Sequence, residues 1–252
     1  MISVKTKEEI EIMREGGHIL AAILESAKDF AKPGVTTMEI DKYVGRLCLK
    51  YKVKPAFKGY LDFPSNIITS LNDEIVHGLP SDKKIIKEGD LVSLDFGVLH
   101  KGLYTDAAIT FGVGEISPLK KKLEEVARKS FFAGVKKVKA GAYLGDASYE
   151  IQKYIEDRGF SVIRCLAGHG IGQNIHEEPT IPNFGKKKTG PVLEEGMTLA
   201  IEPMIAEKSF ELEIDPDGWT YRTVDGGMSA HFEHTIVVTK KGYEILTTGS
   251  QK

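Results

Sequence analysis

Four segments of the chain have apolar residues at helical spacing. Four others have the β-branched and apolar composition that is typical of strands. The first helix is predicted to follow the capping-box pair Thr6 and Glu9 and to end at Lys32-Pro33-Gly34. The small and apolar residues at helical spacing between these signals are Ile10, Met13, Gly17, Leu20 and Leu24. Further helices are predicted over 37–51, 119–138 and 144–158, and strands over 91–98, 103–113, 197–205 and 230–239. Helices followed by strands therefore occur twice.

Landmarks of the first half recur in the second half. Lys32-Pro33-Gly34 is echoed by Lys139-Ala140-Gly141, and the segment 88–95 by 195–202, both at an offset of 107 residues. Two more echoes have shifted offsets, 75–80 with 175–179 and 105–110 with 232–237. Four echoes in one order predict two homologous αβ halves, approximately 1–115 and 116–252, around a pseudo-two-fold axis. We expect them to form a single catalytic domain, 1–252.

Composition narrows the classes of function. The chain has 34 Lys and Arg against 36 Asp and Glu, and this balance argues against sequence-independent nucleic-acid binding, which needs a basic excess. Its two cysteines, Cys48 and Cys165, form no CxxC pair, and no apolar stretch approaches the roughly 20 residues that span a bilayer. We therefore expect a cytoplasmic protein without a membrane segment. A chain of 252 residues needs no metal to fold, so a bound metal would be functional.

Two acidic residues lie in a predicted hairpin of apolar strands. With a tip at His100-Lys101, Asp95 and Asp106 would stand directly opposite each other on one face, with Cβ atoms about 5 Å apart. Two like charges at that distance repel and shift their pKa values unless a cation lies between them. A metal ion is one interpretation, and a solvated pair on an edge hairpin is the other.

The second half supplies comparable residues, Glu202 and Glu233, so that four carboxylates are expected near the axis. His169 lies within Gly168-His169-Gly170-Ile171-Gly172, where glycines would let the imidazole approach an ion. This segment lacks the GxGxxG spacing and the following Lys-Ser/Thr of phosphate-binding loops. A donor set of four carboxylates and one imidazole favours two divalent ions, Mn(II), Fe(II) or Co(II), with Zn(II) as a further candidate, that activate a bridging water.

Two further histidines, His77 and His176, occupy equivalent places in the two halves and follow the apolar residues Val76 and Ile175. A histidine in such a context is often a core residue. Symmetric placement beside a metal site instead favours contact with substrate, where the rings could donate protons or hydrogen bonds to a scissile amide.

The chain resembles a known family over essentially its whole length. The motifs that carry the resemblance are Asp95, Asp106, His169 in its glycine-rich segment, His176-Glu177-Glu178-Pro179, Glu202-Pro203-Met204 and Glu233-His234-Thr235. Together they are similar to the methionine aminopeptidases of the short, bacterial type I. The resemblance implies a pita-bread fold of class α+β, with antiparallel sheet and helices on its outer face. It also implies removal of the initiator methionine from nascent chains when the second residue is small.

The resemblance also implies roles for individual residues. Asp95 would bind one ion, Asp106 and Glu233 would bridge, and His169 and Glu202 would bind the other. The methionine pocket would be lined by Phe57, Tyr60, Phe63, Ile68, Ile175 and Trp219. Phe57 and Ile68 stand where small cysteines are common in the family, and Ile175 replaces a frequent Phe, which affects the expected pocket width and not the reaction.

Three alternatives remain at this point. A proline-specific peptidase of the same fold usually carries an additional amino-terminal domain, for which 252 residues leave no room. A non-catalytic binding module of this fold typically loses metal ligands, and a dinuclear phosphatase would have a cationic phosphate clamp. We expect a monomer that acts on N-terminal methionine peptides and contacts the ribosome transiently, without nucleic-acid specificity and without a membrane partner.

Overall fold

Four α-helices form in the part of the chain described by the computed structural model, residues 2–249. They are α1 (Lys7–Phe30), α2 (Thr37–Tyr51), α3 (Pro118–Val135) and α4 (Leu144–Glu156). The capping box predicted at Thr6 and Glu9 is confirmed, and Thr36 with Glu39 forms a second one at α2. All four predicted helices are confirmed, although α3 and α4 end three and two residues earlier than expected. No helix of these residues combines the length and the apolar character needed to cross a membrane.

Fifteen strands and one 3₁₀ turn, Tyr60–Asp62, complete the secondary structure of residues 2–249. In chain order they are β1 (Lys54–Pro55), β2 (Ile68–Leu71), β3 (Glu74–Val76), β4 (Leu91–His100), β5 (Leu103–Gly112), β6 (Ser161–Val162), β7 (Ala167–Gly170), β8 (Glu177–Pro182), β9 (Thr198–Ile201), β10 (Met204–Ala206), β11 (Leu212–Ile214), β12 (Tyr221–Thr223), β13 (Ser229–His231), β14 (Glu233–Val238) and β15 (Tyr243–Ile245).

The central sheet has nine strands and joins the two halves of the chain. Its main order is β1-β4-β5-β14-β9-β7-β8, with β2 beside β4 and β15 beside β14, and every pairing is antiparallel. Two three-stranded sheets, β13-β10-β6 and β11-β12-β3, lie outside it. The junction of the halves is the contact between β5 and β14, where Glu233 pairs with Ala108.

The helices pack against the sheet, and their contacts form two apolar cores. Buried side chains of α1 and α2, such as Leu20 and Ile40, pack in one cluster with Leu94 and Phe96 of β4. Phe131 of α3 and residues of α4 pack in a second cluster with strands of the second half. This distribution confirms the α+β class with helices outside an antiparallel sheet. The duplication of halves 1–115 and 116–252 within a single domain stays a prediction.

The predicted register of the β4–β5 hairpin is wrong by two residues. His100 pairs with Leu103, so the tip is Lys101-Gly102 and not His100-Lys101. Both tip residues have positive φ, 48° and 87°, as a two-residue hairpin turn of type I′ requires, and glycine favours that conformation. Asp95 therefore pairs with Ala108 and Asp106 with Gly97. A register shift of two residues keeps each side chain on the same face of the sheet, so the two aspartates still share one face. They are diagonal neighbours and not directly opposite each other.

The two strands predicted over 197–205 and 230–239 are each divided. The first breaks between β9 and β10 at Glu202-Pro203, and the second between β13 and β14 at Phe232. Proline cannot donate to a ladder, and the Phe232 amide donates to the Pro203 carbonyl across the break. Both strands consequently leave the central sheet together and continue in the β13-β10-β6 sheet. The bend puts Glu202 and Glu233 at the edge between the two sheets.

Candidate metal centre

Strand register brings the five predicted ligands to one face of the central sheet. Asp95 and Glu233 flank Ala108 in a single row across β4, β5 and β14. His169 pairs with Ala200, two residues before Glu202. Side chains directly opposite each other, or two residues apart along a strand, point to the same side.

A threonine fixes the junction of the halves beside this row. The Thr235 hydroxyl accepts from the Asp106 amide and donates to the Asp106 carbonyl, both at 2.8 Å. The backbone of Asp106 is therefore held to β14, while its carboxylate is left free to face the centre.

The glycines around His169 are required by close backbone contacts. A Cβ at Gly168 would lie 2.4 Å from the Ala200 carbonyl oxygen, and one at Gly170 would lie 2.1 Å from that of Glu178. His169 Nδ1 lies 2.9 Å from the Gly170 carbonyl oxygen, which can only accept. Nδ1 therefore carries the hydrogen, and Nε2 keeps its lone pair for a metal ion.

The side chains converge to distances typical of a metal centre. Ligand atoms of Asp106, His169 and Glu233 all lie within 4.8 Å of one another. His169 Nε2 is 3.7 Å from Glu202 Oε1. Asp95, on the same face, is 8% exposed, and Glu233 only 2%. Five potential ligands are thus gathered in a site that excludes most solvent.

A bound cation would compensate the charge of the buried carboxylates in this cluster. Burial raises the pKa of Asp95 to about 7, and burial together with neighbouring carboxylates raises the pKa values of Asp106, Glu202 and Glu233 well above their usual range. One buried oxygen each of Asp95, Asp106 and Glu233 has no hydrogen-bond partner. Buried carboxylates normally have such partners or coordinate metals. The donor set therefore fits divalent cations.

Burial also keeps the imidazole suitable for coordination. It lowers the pKa of His169 to about 3, so the ring is neutral at pH 7, which is the form that binds metals.

We expect Asp95→Asn to stabilise the metal-free protein in a pH-dependent way. A folded-state pKa of about 7, against an ordinary value of 3.8, means that the wild-type fold loses stability as the pH rises from about 4 to 7. The variant escapes this loss, so its advantage in free energy of unfolding should grow over that range, to at most about 4 kcal/mol. The measurement is denaturant unfolding in chelator at several pH values. The same substitution at the exposed Asp82 should give no such trend, and a pH-independent difference at Asp95 would contradict the expected burial of charge.

A cavity of about 230 Å³ adjoins the carboxylates. It is lined by Phe57, Tyr60, Leu61, Phe63, Ile68, Val76, His77, Asp95, Asp106, Leu166, Ala167, His176, Glu202, Met204, Trp219 and Glu233. Its volume is below the roughly 300–1,000 Å³ of pockets that hold drug-sized ligands. The cavity therefore suits one apolar side chain next to the charged centre.

The structure modifies the predicted apolar lining at several positions. Ile175 is not among the lining residues; it is 2% exposed and packs with Phe57, Phe63 and Ile68 behind the cavity surface. Phe63 and Trp219 meet edge to face with centroids 5.2 Å apart and form one wall. Sequence reasoning missed Leu61, Val76, Leu166, Ala167 and Met204, because short apolar segments carry no signal that distinguishes a cavity wall from a core.

The two further histidines both reach this cavity. His77 has φ of 56°, a left-handed conformation that is uncommon outside glycine, and its ring lies edge-on to Tyr221. Burial lowers the pKa of His77 to about 4, and desolvation by its neighbours also lowers the pKa of His176, although His176 is an exposed residue. His176 contacts the His169 ring, with centroids 4.3 Å apart, and its Nδ1 lies 2.8 Å from the Tyr60 hydroxyl. Both imidazoles are therefore neutral near pH 7 and have a nitrogen for a hydrogen bond to a ligand.

One histidine near the centre was not predicted. His231 is 1% exposed, and its Nε2 lies 3.6 Å from Glu202 Oε2 and 3.9 Å from Glu233 Oε2. Neither ring nitrogen has a hydrogen-bond partner, and burial lowers its pKa to about 3. The sequence signal that could have identified His231 is its position two residues before Glu233, since residues at that spacing share a face of a strand.

Comparisons with known proteins identify the family of the chain. Residues 11–240 match the model of metallopeptidase family M24. The chain is 45% identical to methionine aminopeptidase 1 of Bacillus subtilis, over 98% of this chain and 99% of that protein. A crystal structure of methionine aminopeptidase from Thermotoga maritima has a TM-score of 0.97 and 47% identity, covering 98% of this chain and all of the other.

A more distant structure shares the fold only over part of its length. The Xaa-Pro dipeptidase from Bacillus anthracis has a TM-score of 0.80 and 28% identity, covering 99% of this chain but 63% of that one. The architecture is thus the pita-bread fold common to these peptidases. The chain belongs to metallopeptidase family M24 and, within it, to the methionine aminopeptidases.

Proposed function

We propose that the protein is a metal-dependent aminopeptidase that hydrolyses the bond after an N-terminal methionine when the second residue is small. The observation that carries this proposal is the junction of a buried cluster of carboxylates and imidazole with a small apolar cavity. Its substrates would be N-terminal methionine peptides of nascent chains in the cytoplasm. A monomeric state and a transient ribosome contact are part of the same proposal.

The ligand roles follow the donor set. Asp95 would hold one divalent ion, His169 and Glu202 a second, and Asp106 and Glu233 would bridge them. We propose Mn(II), Fe(II) or Co(II), with Zn(II) as a further candidate, because oxygen-rich sites with one imidazole suit these ions. When bound, the ions supply Lewis acidity at the scissile carbonyl and a nucleophilic water at neutral pH.

The apolar wall would select the first side chain. Phe57, Phe63, Ile68 and Trp219 surround a space in which methionine can bury its methylenes and sulfur, worth roughly 1.5–3 kcal/mol relative to exposure. Ile175 supports this wall from behind. A charged guest would lose hydration against these apolar side chains.

The two neutral histidines would act on the peptide bond. His77 and His176 lie on the cavity surface next to the carboxylates, where their rings can donate a hydrogen bond to the scissile carbonyl or a proton to the leaving nitrogen.

Specificity for a small second residue tests this proposal. His77 and Met204 line the cavity beside the carboxylates, and we place the second residue of the substrate next to them. A bulky second side chain would then displace the amide, and a displacement of about 1 Å can cost about 10²-fold. We expect Met-Ala-Ser and Met-Gly-Ser to turn over well and Met-Lys-Ser and Met-Leu-Ser poorly. The measurement is kcat/KM for Met-Xaa-Ser peptides that differ only at Xaa.

Two controls separate the parts of the proposal. Equal cleavage of Leu-Ala-Ser would show that the cavity does not select methionine, and a flat profile across Xaa would show that the second site is open. Preferred cleavage of an Ala-Pro peptide would instead support a proline-specific peptidase.

A further inference from the structure

Tyr60 makes the one hydrogen bond to the His176 ring found among residues 2–249. Its hydroxyl lies 2.8 Å from His176 Nδ1, and the two ring centroids are 5.2 Å apart. The two residues are 116 positions apart in the chain. The contact therefore links the cavity wall to a ring that we place at the peptide bond.

The backbone around Tyr60 is held in an unusual conformation that presents this hydroxyl. Tyr60–Asp62 forms a short 3₁₀ turn in which Leu61 and Asp62 have positive φ, 48° and 68°. Non-glycine residues rarely adopt this region and keep it only where the surrounding structure enforces it. The Gly59 amide donates to the Phe63 carbonyl at 2.8 Å and the Tyr60 amide to the Phe57 carbonyl at 2.9 Å, which closes the loop. Phe57 and Phe63 anchor it from the buried side.

Hydrogen-bond chemistry sets the direction of the Tyr60 contact. A neutral imidazole has one N–H and one lone pair, and its bare nitrogen is a stronger acceptor than a phenol oxygen. The Tyr60 hydroxyl therefore donates to Nδ1, and the ring hydrogen resides on Nε2. No acceptor for Nε2 occurs among the described residues, and His176 lines the cavity.

We propose that Tyr60 is a positioning residue that fixes His176 as the Nε2–H tautomer and orients this donor toward the substrate. The inference rests on the proposed function and extends it, since Tyr60 also lines the cavity that would receive the methionine side chain. A side chain seated against the Tyr60 ring would hold the hydroxyl at Nδ1. Recognition of the first residue would then appear in kcat as well as in KM.

The test is Tyr60→Phe, which keeps the ring and removes only the hydroxyl. We expect kcat for Met-Ala-Ser to fall on the order of 10–100-fold, the range for loss of an orienting partner, with KM changed less than about twofold. The matched control is Tyr51→Phe, because Tyr51 on α2 has the same exposed fraction as Tyr60, 36%, and is not among the residues that line the cavity. Its kcat and KM should equal those of wild type.

A second readout does not depend on turnover. In ¹⁵N spectra of the Zn(II)-loaded protein, wild-type His176 should show a hydrogen on Nε2 and a bare Nδ1, and Tyr60→Phe should show a mixture of tautomers. An unchanged tautomer, or a loss confined to KM, would overturn the positioning role. If wild type released no methionine while the tautomer followed the expectation, the proposed function would fail and the assignment of Tyr60 to His176 would stand.

Discussion

Replacing Asp106 with alanine is expected to abolish both metal binding and peptidase activity. Asp106 lies within 4.8 Å of ligand atoms of both His169 and Glu233 and is 3% exposed. In the proposed assignment Asp106 would bridge two ions, so its loss would remove a ligand from each and leave their charges less compensated. Loss of several kcal/mol of Lewis-acid stabilisation corresponds to a fall of about 10³-fold or more in kcat.

Metal content by elemental analysis and kcat for Met-Ala-Ser are the two measurements. Asp82→Ala, at an exposed position outside the cavity lining, should change neither. If Asp106→Ala still bound two ions and kept near-wild-type activity, the assignment of Asp106 as a ligand would be wrong. The variant should still fold, because removal of one crowded carboxylate relieves repulsion in the metal-free state.

Alanine at His77 or at His176 should lower kcat by on the order of 10²–10⁴-fold, which is the range for lost proton transfer or oxyanion support. The metal content of both variants should stay intact. Both rings reach the cavity, and neither is required for the cluster of Asp106, His169 and Glu233. The result would separate residues that act on substrate from residues that hold metal.

Two further variants make this experiment specific. His77→Asn tests the imidazole without adding backbone strain, since asparagine tolerates the left-handed φ of 56° better than alanine. His18→Ala changes a histidine on α1 outside the cavity lining and should leave kcat unchanged. A parallel loss of metal and activity in the His77 and His176 variants would refute the division of roles.

The sequence predicts which residue types form the centre, but it predicts their geometry less completely. Period-2 alternation gives the face of Asp95 and Asp106, and a register error of two residues conserves that face. The error itself arose because the turn is set by the backbone conformation of Lys101 and Gly102, which an apolar pattern does not reveal.

Other features depend on tertiary contacts. The bend at Glu202-Pro203 is marked by its proline, but its partner at Phe232 becomes visible only when the two strands are paired. The bond from Tyr60 to His176 joins residues 116 positions apart, and the inward position of His231 follows from its pairing with Met204 in a sheet that was not expected. Local patterns do not encode such contacts.

Metal-dependent methionine aminopeptidase activity is tested most directly by measuring free methionine released from Met-Ala-Ser. The protein would be stripped with chelator, assayed, and assayed again after addition of Mn(II). We predict no release by the stripped protein, release after Mn(II) is restored, and none from a peptide whose amino terminus is acetylated. Equal release in chelator and in Mn(II) would contradict metal dependence. No release with the site loaded by any of Mn(II), Fe(II), Co(II) and Zn(II) would contradict methionine aminopeptidase activity.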